Sequence, residues 1–158
     1  MNISVLNGTL WAPMEATSTG RRERDPGRLL ALVERRVAAR LAAALTPAGC
    51  GLDEWRVMSL LADGHGHAMS EIADYALLPP PTLTKLIDRM VSANRVHRRV
   101  DDADRRRVLV FLTPRGREQY DTLAAAIDDE WERLASVVGR EEMDLLGVLL
   151  SRLASRLP

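Results

Sequence analysis

A single cysteine, a single lysine and few aromatic side chains (three Trp, two Tyr, one Phe) already exclude several kinds of protein. With Cys50 alone, no internal disulfide framework can form. No apolar run approaches the ~20 residues needed to cross a bilayer. The first ten residues lack the charged start and apolar stretch of a signal peptide, so the expected compartment is the cytoplasm. There is no glycine-rich phosphate loop, and no serine sits in an elbow with a paired histidine. The chain is therefore not expected to be an enzyme or to need a cofactor.

Excess charge of either sign is missing as well: 22 basic and 22 acidic residues give a formal net charge of zero. That balance conceals a local imbalance. Lys85, Arg89, Arg95, Arg98, Arg99, Arg105, Arg106 and Arg107 crowd into one short stretch, opposed there only by Asp88, Asp101, Asp102 and Asp104. Further on, Asp128, Asp129, Glu130, Glu132, Glu141 and Glu142 reverse the sign. One basic segment in a neutral chain points to a face for a polyanion, with a merely solvated basic surface as the plain alternative.

Residues 1–26 show no sustained periodicity and read as a mobile tail, with a short ordered piece around Leu10–Trp11. From Arg28 to Leu45 apolar residues recur at three- and four-residue steps, so residues 27–47 are expected to hold a dimerisation helix. Pro47, Gly49 and Gly51 end it. Asp53 is the expected N-cap of the next helix, which Asp63-Gly64 stops. A short helix follows over Met69–Ala76, with Ser70 as the expected cap. Proline is tolerated in a first helical turn, so a further helix is expected from near Pro80 to about Ala93, with Asn94 in the left-handed position. Val96–Val100 and Val108–Leu112 are β-prone runs around a polar turn and read as a two-stranded hairpin. Thr113-Pro114 caps a long helix to Val138, Gly139 breaks it, and Arg140–Leu157 is the last helix.

This order of elements is that of a mainly α fold: a winged helix-turn-helix over residues 52–114, with a small two-stranded wing, flanked by dimerisation helices over 27–47 and 115–158. A helix that enters a major groove must be apolar inside and free of bulk outside. Leu83, Leu86, Ile87 and Met90 supply the inner face; Thr82, Thr84, Lys85, Asp88 and Arg89 lie outside. A basic hairpin tip suits phosphates or a minor groove, and Arg105, Arg106 and Arg107 sit there.

The run from Leu83 to Val91, followed by Arg98-Arg99, Asp104-Arg105-Arg106, Leu112-Thr113 and Gly116, resembles the MarR family of bacterial regulators. Leu52-x-x-Trp55-x-Val57-Met58 and Ile72-Ala73 fit the same pattern. The resemblance covers roughly Arg28 to Leu157. It implies a homodimer whose ends interleave, and two recognition helices that read a pseudo-palindrome in double-stranded DNA. It makes Arg106 the minor-groove probe and Asp104 its support. It makes Thr82, Thr84, Lys85 and Arg89 contacts to bases or phosphates, and Ser70 a backbone contact. Arg98, Arg99, Arg105 and Arg107 complete the expected DNA-binding set. Two departures stand out: Pro79-Pro80-Pro81 replaces a Ser-Pro-Ser-like helix start, and Asn94 replaces the usual glycine before the wing, which asparagine tolerates.

Other residues admit two readings. Trp55 lies on an apolar helix face and suits core packing first, a ligand pocket second. Tyr120 and Trp131 suit packing or a dimer contact before an effector contact. Cys50 could sense oxidation, although it stands between two glycines without a tyrosine near it in sequence. His65 and His67 could hold a metal corner with carboxylates such as Asp53, Glu54 or Glu71. His97, in the first strand of the wing, is expected to face a phosphate or solvent. The leading expectation is a repressor released by a small-molecule effector. The alternatives are a helical dimer that binds proteins and has lost DNA, and a metal- or redox-responsive regulator.

Overall fold

The computed structural model describes Asp25–Leu157. The expected tail and the piece around Leu10–Trp11 lie outside the described residues, apart from Asp25 and Pro26. By contacts the chain divides into two units, residues 1–37 and 38–158. Helix α1 (Pro26–Leu45) runs through the boundary. In the first unit, Leu29, Leu30 and Val33 are exposed.

The second unit holds the rest. The end of α1 passes into a 3-10 turn at Thr46–Ala48, closed by Gly49 in the left-handed region. Helices α2 (Leu52–Leu61), α3 (Met69–Ala76) and α4 (Pro80–Ser92) follow, with the short strand β1 (His67–Ala68) between α2 and α3. Strands β2 (Val96–Val100) and β3 (Val108–Leu112) form the wing, and α5 (Pro114–Val138) and α6 (Arg140–Ala154) complete the chain.

The core gathers the inner stripes of these elements. Val57, Met58 and Leu61 meet Ile72, Ala73 and Ala76, and both meet Leu83, Leu86, Ile87 and Met90 of α4. Val96 and Val110 of the wing, Leu123 and Ile127 of α5 and Leu45 of α1 close the cluster. Each fully buried leucine or isoleucine contributes about 1.5–3 kcal/mol relative to an exposed one. This cluster fixes the angle between α3 and α4.

Three local details differ from the sequence reading. The N-cap of α2 is Gly51, not Asp53; the Gly51 N–H donates to Glu54 Oε2 at 3.3 Å. The cap position of α3 is Ala68, not Ser70, and the Ala68 N–H donates to Glu71 Oε2 at 3.0 Å. In both cases a glutamate three residues on accepts from the N–H of the cap residue, the half of a capping box that needs no polar side chain at the cap itself. The sheet also has three strands, ordered β1-β3-β2, rather than two. His67 pairs with Val110 and Ala68 with Leu109, a contact too short to leave an alternating pattern.

The entry into α5 follows the expectation. Thr113 Oγ1 accepts from the Gly116 N–H at 2.9 Å and donates to the Asn94 carbonyl at 2.7 Å. A Cβ on Gly116 would overlap the Arg95 carbonyl. The Leu-Thr-x-x-Gly ending thus ties α5 to the turn between α4 and the wing. Asn94 takes the left-handed region, φ 55°, as the sequence suggested.

Candidate nucleic-acid interface

Helix α4 is held by its buried stripe, so its opposite side is fixed as well. At 100° per residue, Pro81, Lys85, Asp88 and Ser92 fall along the line facing away from Leu83, Leu86, Ile87 and Met90. All four are exposed, and Thr82, Thr84 and Arg89 flank them, also exposed. Among the described residues, neither Lys85 nor Arg89 takes part in a salt bridge, so both cations are available to a polyanion. Thr84 is less free than its exposure suggests: its hydroxyl donates to the Pro80 carbonyl at 3.0 Å. Ser70 is exposed in the first turn of α3.

The wing is braced against the helices. Arg98 Nη2 lies 2.7 Å from Asp88 Oδ1, joining β2 to the outer face of α4. Arg107 Nη2 lies 3.2 Å from Glu71 Oε1, joining the far end of the wing turn to α3. Arg99 places its guanidinium 4.6 Å from the centre of the Phe111 ring. His97 stacks on that ring at 5.5 Å and remains exposed. A Cβ on Gly66 would overlap the same ring. Phe111 is therefore the pin that seats the wing on the loop after α2, and Gly66 is the residue that lets it close.

At the tip, Asp104 Oδ1 accepts from the Arg106 backbone N–H at 3.0 Å, and the Asp104 carbonyl accepts from the Arg107 N–H at 2.8 Å. Asp104 thus shapes the turn from which Arg106 projects, acting on its backbone rather than on its guanidinium. Arg105 and Arg106 are exposed, and no salt bridge among the described residues engages them. The expected DNA-binding cations therefore fall into two groups. Among the described residues, Lys85, Arg89, Arg99, Arg105 and Arg106 have no carboxylate partner, while Arg98 and Arg107 are paired with acids of the helix-turn-helix.

Glu71 has two tasks. The Ala68 N–H bond, opposed by some burial and helped by Arg107 and His67, holds its carboxyl below the usual range. His67 lies between two carboxylates, with Nε2 2.8 Å from Asp63 Oδ2 and Nδ1 3.4 Å from Glu71 Oε2. Burial works to raise the Asp63 carboxyl, but the His65 N–H and the His67 ring outweigh it and hold it below its ordinary value. Both His67 nitrogens are thus engaged, and His65 gives its backbone N–H to Asp63 at 2.9 Å. Among the described residues no three His, Cys, Asp or Glu side chains group as a metal site.

The Cys50 thiol is buried, and burial, reinforced by Glu54, pushes it up to about 11. A buried thiol in that state is a poor nucleophile at neutral pH, unlike the low-pKa, accessible thiols that react with peroxide. Trp55 and Tyr120, the two aromatic effector candidates, stack on each other at 5.2 Å with planes 7° apart. Arg117 lies 5.8 Å from the Tyr120 ring and donates to the Ala62 carbonyl at 2.5 Å. A cavity of about 340 Å³ opens elsewhere, lined by Gly51, Leu52, Asp53, Glu54, Leu86 and Arg89; neither aromatic lines it.

Comparison with known proteins agrees with this arrangement. Residues 45–107 match the model of the MarR family. The HTH-type transcriptional regulator FarR of Neisseria gonorrhoeae is 34% identical over 101 residues, 64% of this chain and 69% of the relative. The chain belongs to the MarR family. It is a transcriptional regulator with a DNA-binding winged helix-turn-helix. The homoprotocatechuate degradative operon repressor of Escherichia coli is 26% identical over 97 residues, 61% of this chain and 66% of the relative. The matched segments thus span about two thirds of these curated relatives. The crystal structure of NadR in complex with 4-hydroxyphenylacetate is 28% identical, with a TM-score of 0.74 over 84% of this chain and 94% of that one. These MarR relatives are regulators rather than enzymes, and none of the described helices is long and apolar enough to cross a membrane.

Proposed function

We propose that this MarR-family chain binds a pseudo-palindromic operator as a homodimer and represses transcription until a small aromatic acid releases it. Helix α4 lies in the major groove, with Lys85 and Arg89 on phosphates and Thr82 and Thr84 toward base edges. Arg106 enters the adjacent minor groove, whose negative potential attracts an arginine. Ser70, Arg99 and Arg105 add contacts to the backbone. The observation that carries this reading is the free pair Lys85 and Arg89 on the outer face of a helix whose other face is fully buried. The wing reaches out beside it with Arg105 and Arg106 exposed.

The dimer follows from surface that the described chain leaves bare. Helix α6 has no buried residue, and Leu145, Leu149 and Leu153 are about half exposed. A second copy covers such a face by symmetry. The repressor sense is drawn from the Escherichia coli relative, and the aromatic acid from the NadR complex. The test is a gel-shift titration of the DNA upstream of the gene, with and without 4-hydroxyphenylacetate. A single retarded species of dimer stoichiometry, weakened by the acid, is expected. No shift at low salt would overturn the DNA reading, and a shift indifferent to a panel of aromatic acids would overturn the effector reading alone.

A further inference from the structure

The leading turn of α4 is unusual in its chemistry. Pro79 stands at the N-cap and Pro80 and Pro81 in the first turn, and all three are exposed. A helix start normally offers free N–H groups, which is how such ends hold phosphates and polar base edges. Here three successive residues have no N–H at all. The next two amides, of Thr82 and Leu83, already donate to the Pro79 carbonyl at 2.9 and 3.0 Å. The Thr84 hydroxyl donates to the Pro80 carbonyl. The Thr82 hydroxyl is left for a polar base edge; apart from it, what this end of the outward face presents is hydrocarbon: the pyrrolidine rings and the threonine methyls. Pro81 lies on the central line of that face, one turn ahead of Lys85.

In the major groove, one base edge is matched by hydrocarbon. Thymine carries a C5 methyl there, whereas the other edges present donors and acceptors that would lose water against a proline ring without gaining a partner. We propose that Pro81 is a specificity-determining residue that selects thymine in each half-site by packing its ring on the C5 methyl. The inference rests on the reading that α4 enters the major groove.

The experiment separates the two. Full-length protein first selects tight binders from a pool of random duplexes. In a selected duplex, each thymine is then replaced singly by deoxyuridine, which removes the methyl and leaves every hydrogen-bonding group in place. The wild-type protein should lose about fourfold in affinity at one or two positions per half-site, the factor that matches burial of one methyl-sized group at roughly 0.8 kcal/mol. Pro81→Ser should bind the thymine and deoxyuridine duplexes alike at those positions, with an unchanged melting temperature. Pro81→Ala, which also removes the ring, carries the comparison if the serine variant does not fold. Equal wild-type affinity for all deoxyuridine duplexes overturns the proposal, and so does wild-type discrimination retained in both variants. If Lys85→Ala still flattens the salt dependence, only the thymine reading falls; if the pool yields no bound duplex, the groove reading falls with it.

Discussion

Helices α4 and α6 have similar apolar periodicity and opposite fates. In α4, Leu83, Leu86, Ile87 and Met90 are almost wholly covered by α2, α3 and the wing. In α6, Leu145, Leu146, Leu149 and Leu153 are between 36% and 58% exposed, and no residue of the helix is buried. An amphipathic pattern states that a face needs covering; it does not state by which chain. In α4 the cover is local, which leaves the opposite face rigidly presented. In α6 the cover must come from beyond the described chain.

Truncating each stripe separates the two cases most sharply. Ile87→Ala removes a fully buried side chain and should destabilise the fold by about 2–5 kcal/mol, read as a lower melting temperature. Leu149→Glu with Leu153→Glu should leave the far-ultraviolet spectrum of the helices intact and turn the dimer into monomers in sedimentation. Were Ile87→Ala harmless, or the double variant a stable dimer, the contrast between the two helices would be misdrawn.

The outer surfaces offer a finer comparison. Arg106→Ala should weaken operator binding by about 1–3 kcal/mol per half-site and leave the melting temperature unchanged, because Arg106 projects from a turn that Asp104 holds by its backbone. Arg98→Ala is the counterpart. Arg98 is bound to Asp88 in the free protein, so its loss should disturb the seating of the wing as well as the DNA, and affinity and melting temperature should fall together. A variant of Arg106 that binds DNA like the wild type would remove the wing from the interface.

The smallest effect concerns Cys50. Its thiol is raised in the folded state, from an ordinary 9.0 to about 11. The protonated thiol is favoured by folding, so its contribution to stability is whole below pH 9 and declines as the pH rises toward 11. Iodoacetamide should therefore label the native protein very slowly at pH 7.5 and rapidly only after unfolding, followed by mass spectrometry. Fast native labelling at neutral pH would revive a sensing role.

Much of this architecture was legible beforehand because the signals were local. The wing strands are those expected, Val96–Val100 and Val108–Leu112, because β-branched runs flank a polar turn. Thr113-Pro114 opens α5 because its hydroxyl and fixed φ suit a first turn. The outward set on α4 followed from helical spacing alone. What escaped the sequence was reached through space. β1 is two residues long and shows no alternation, and only its pairing with β3 makes it a strand. Gly51 and Ala68 stand at the caps where Asp53 and Ser70 were expected, with Glu54 and Glu71 reaching back to their N–H groups, a reach that is invisible without coordinates. The sorting of wing arginines into free and paired depends on Asp88 and Glu71, one of them 36 positions from its partner.

Helix α4 presents its cations to a phosphate backbone in the proposed complex. The most direct measurement is operator affinity against salt concentration for the wild type and Lys85→Ala. If about half of the twelve cations that Lys85, Arg89, Arg98, Arg99, Arg105 and Arg107 bring to a dimer engage phosphates, the wild-type logarithmic slope should be roughly −5, and Lys85→Ala should flatten it by about one to two units as each dimer loses two contacts. A slope that Lys85→Ala leaves untouched would contradict the placement of α4 in the groove.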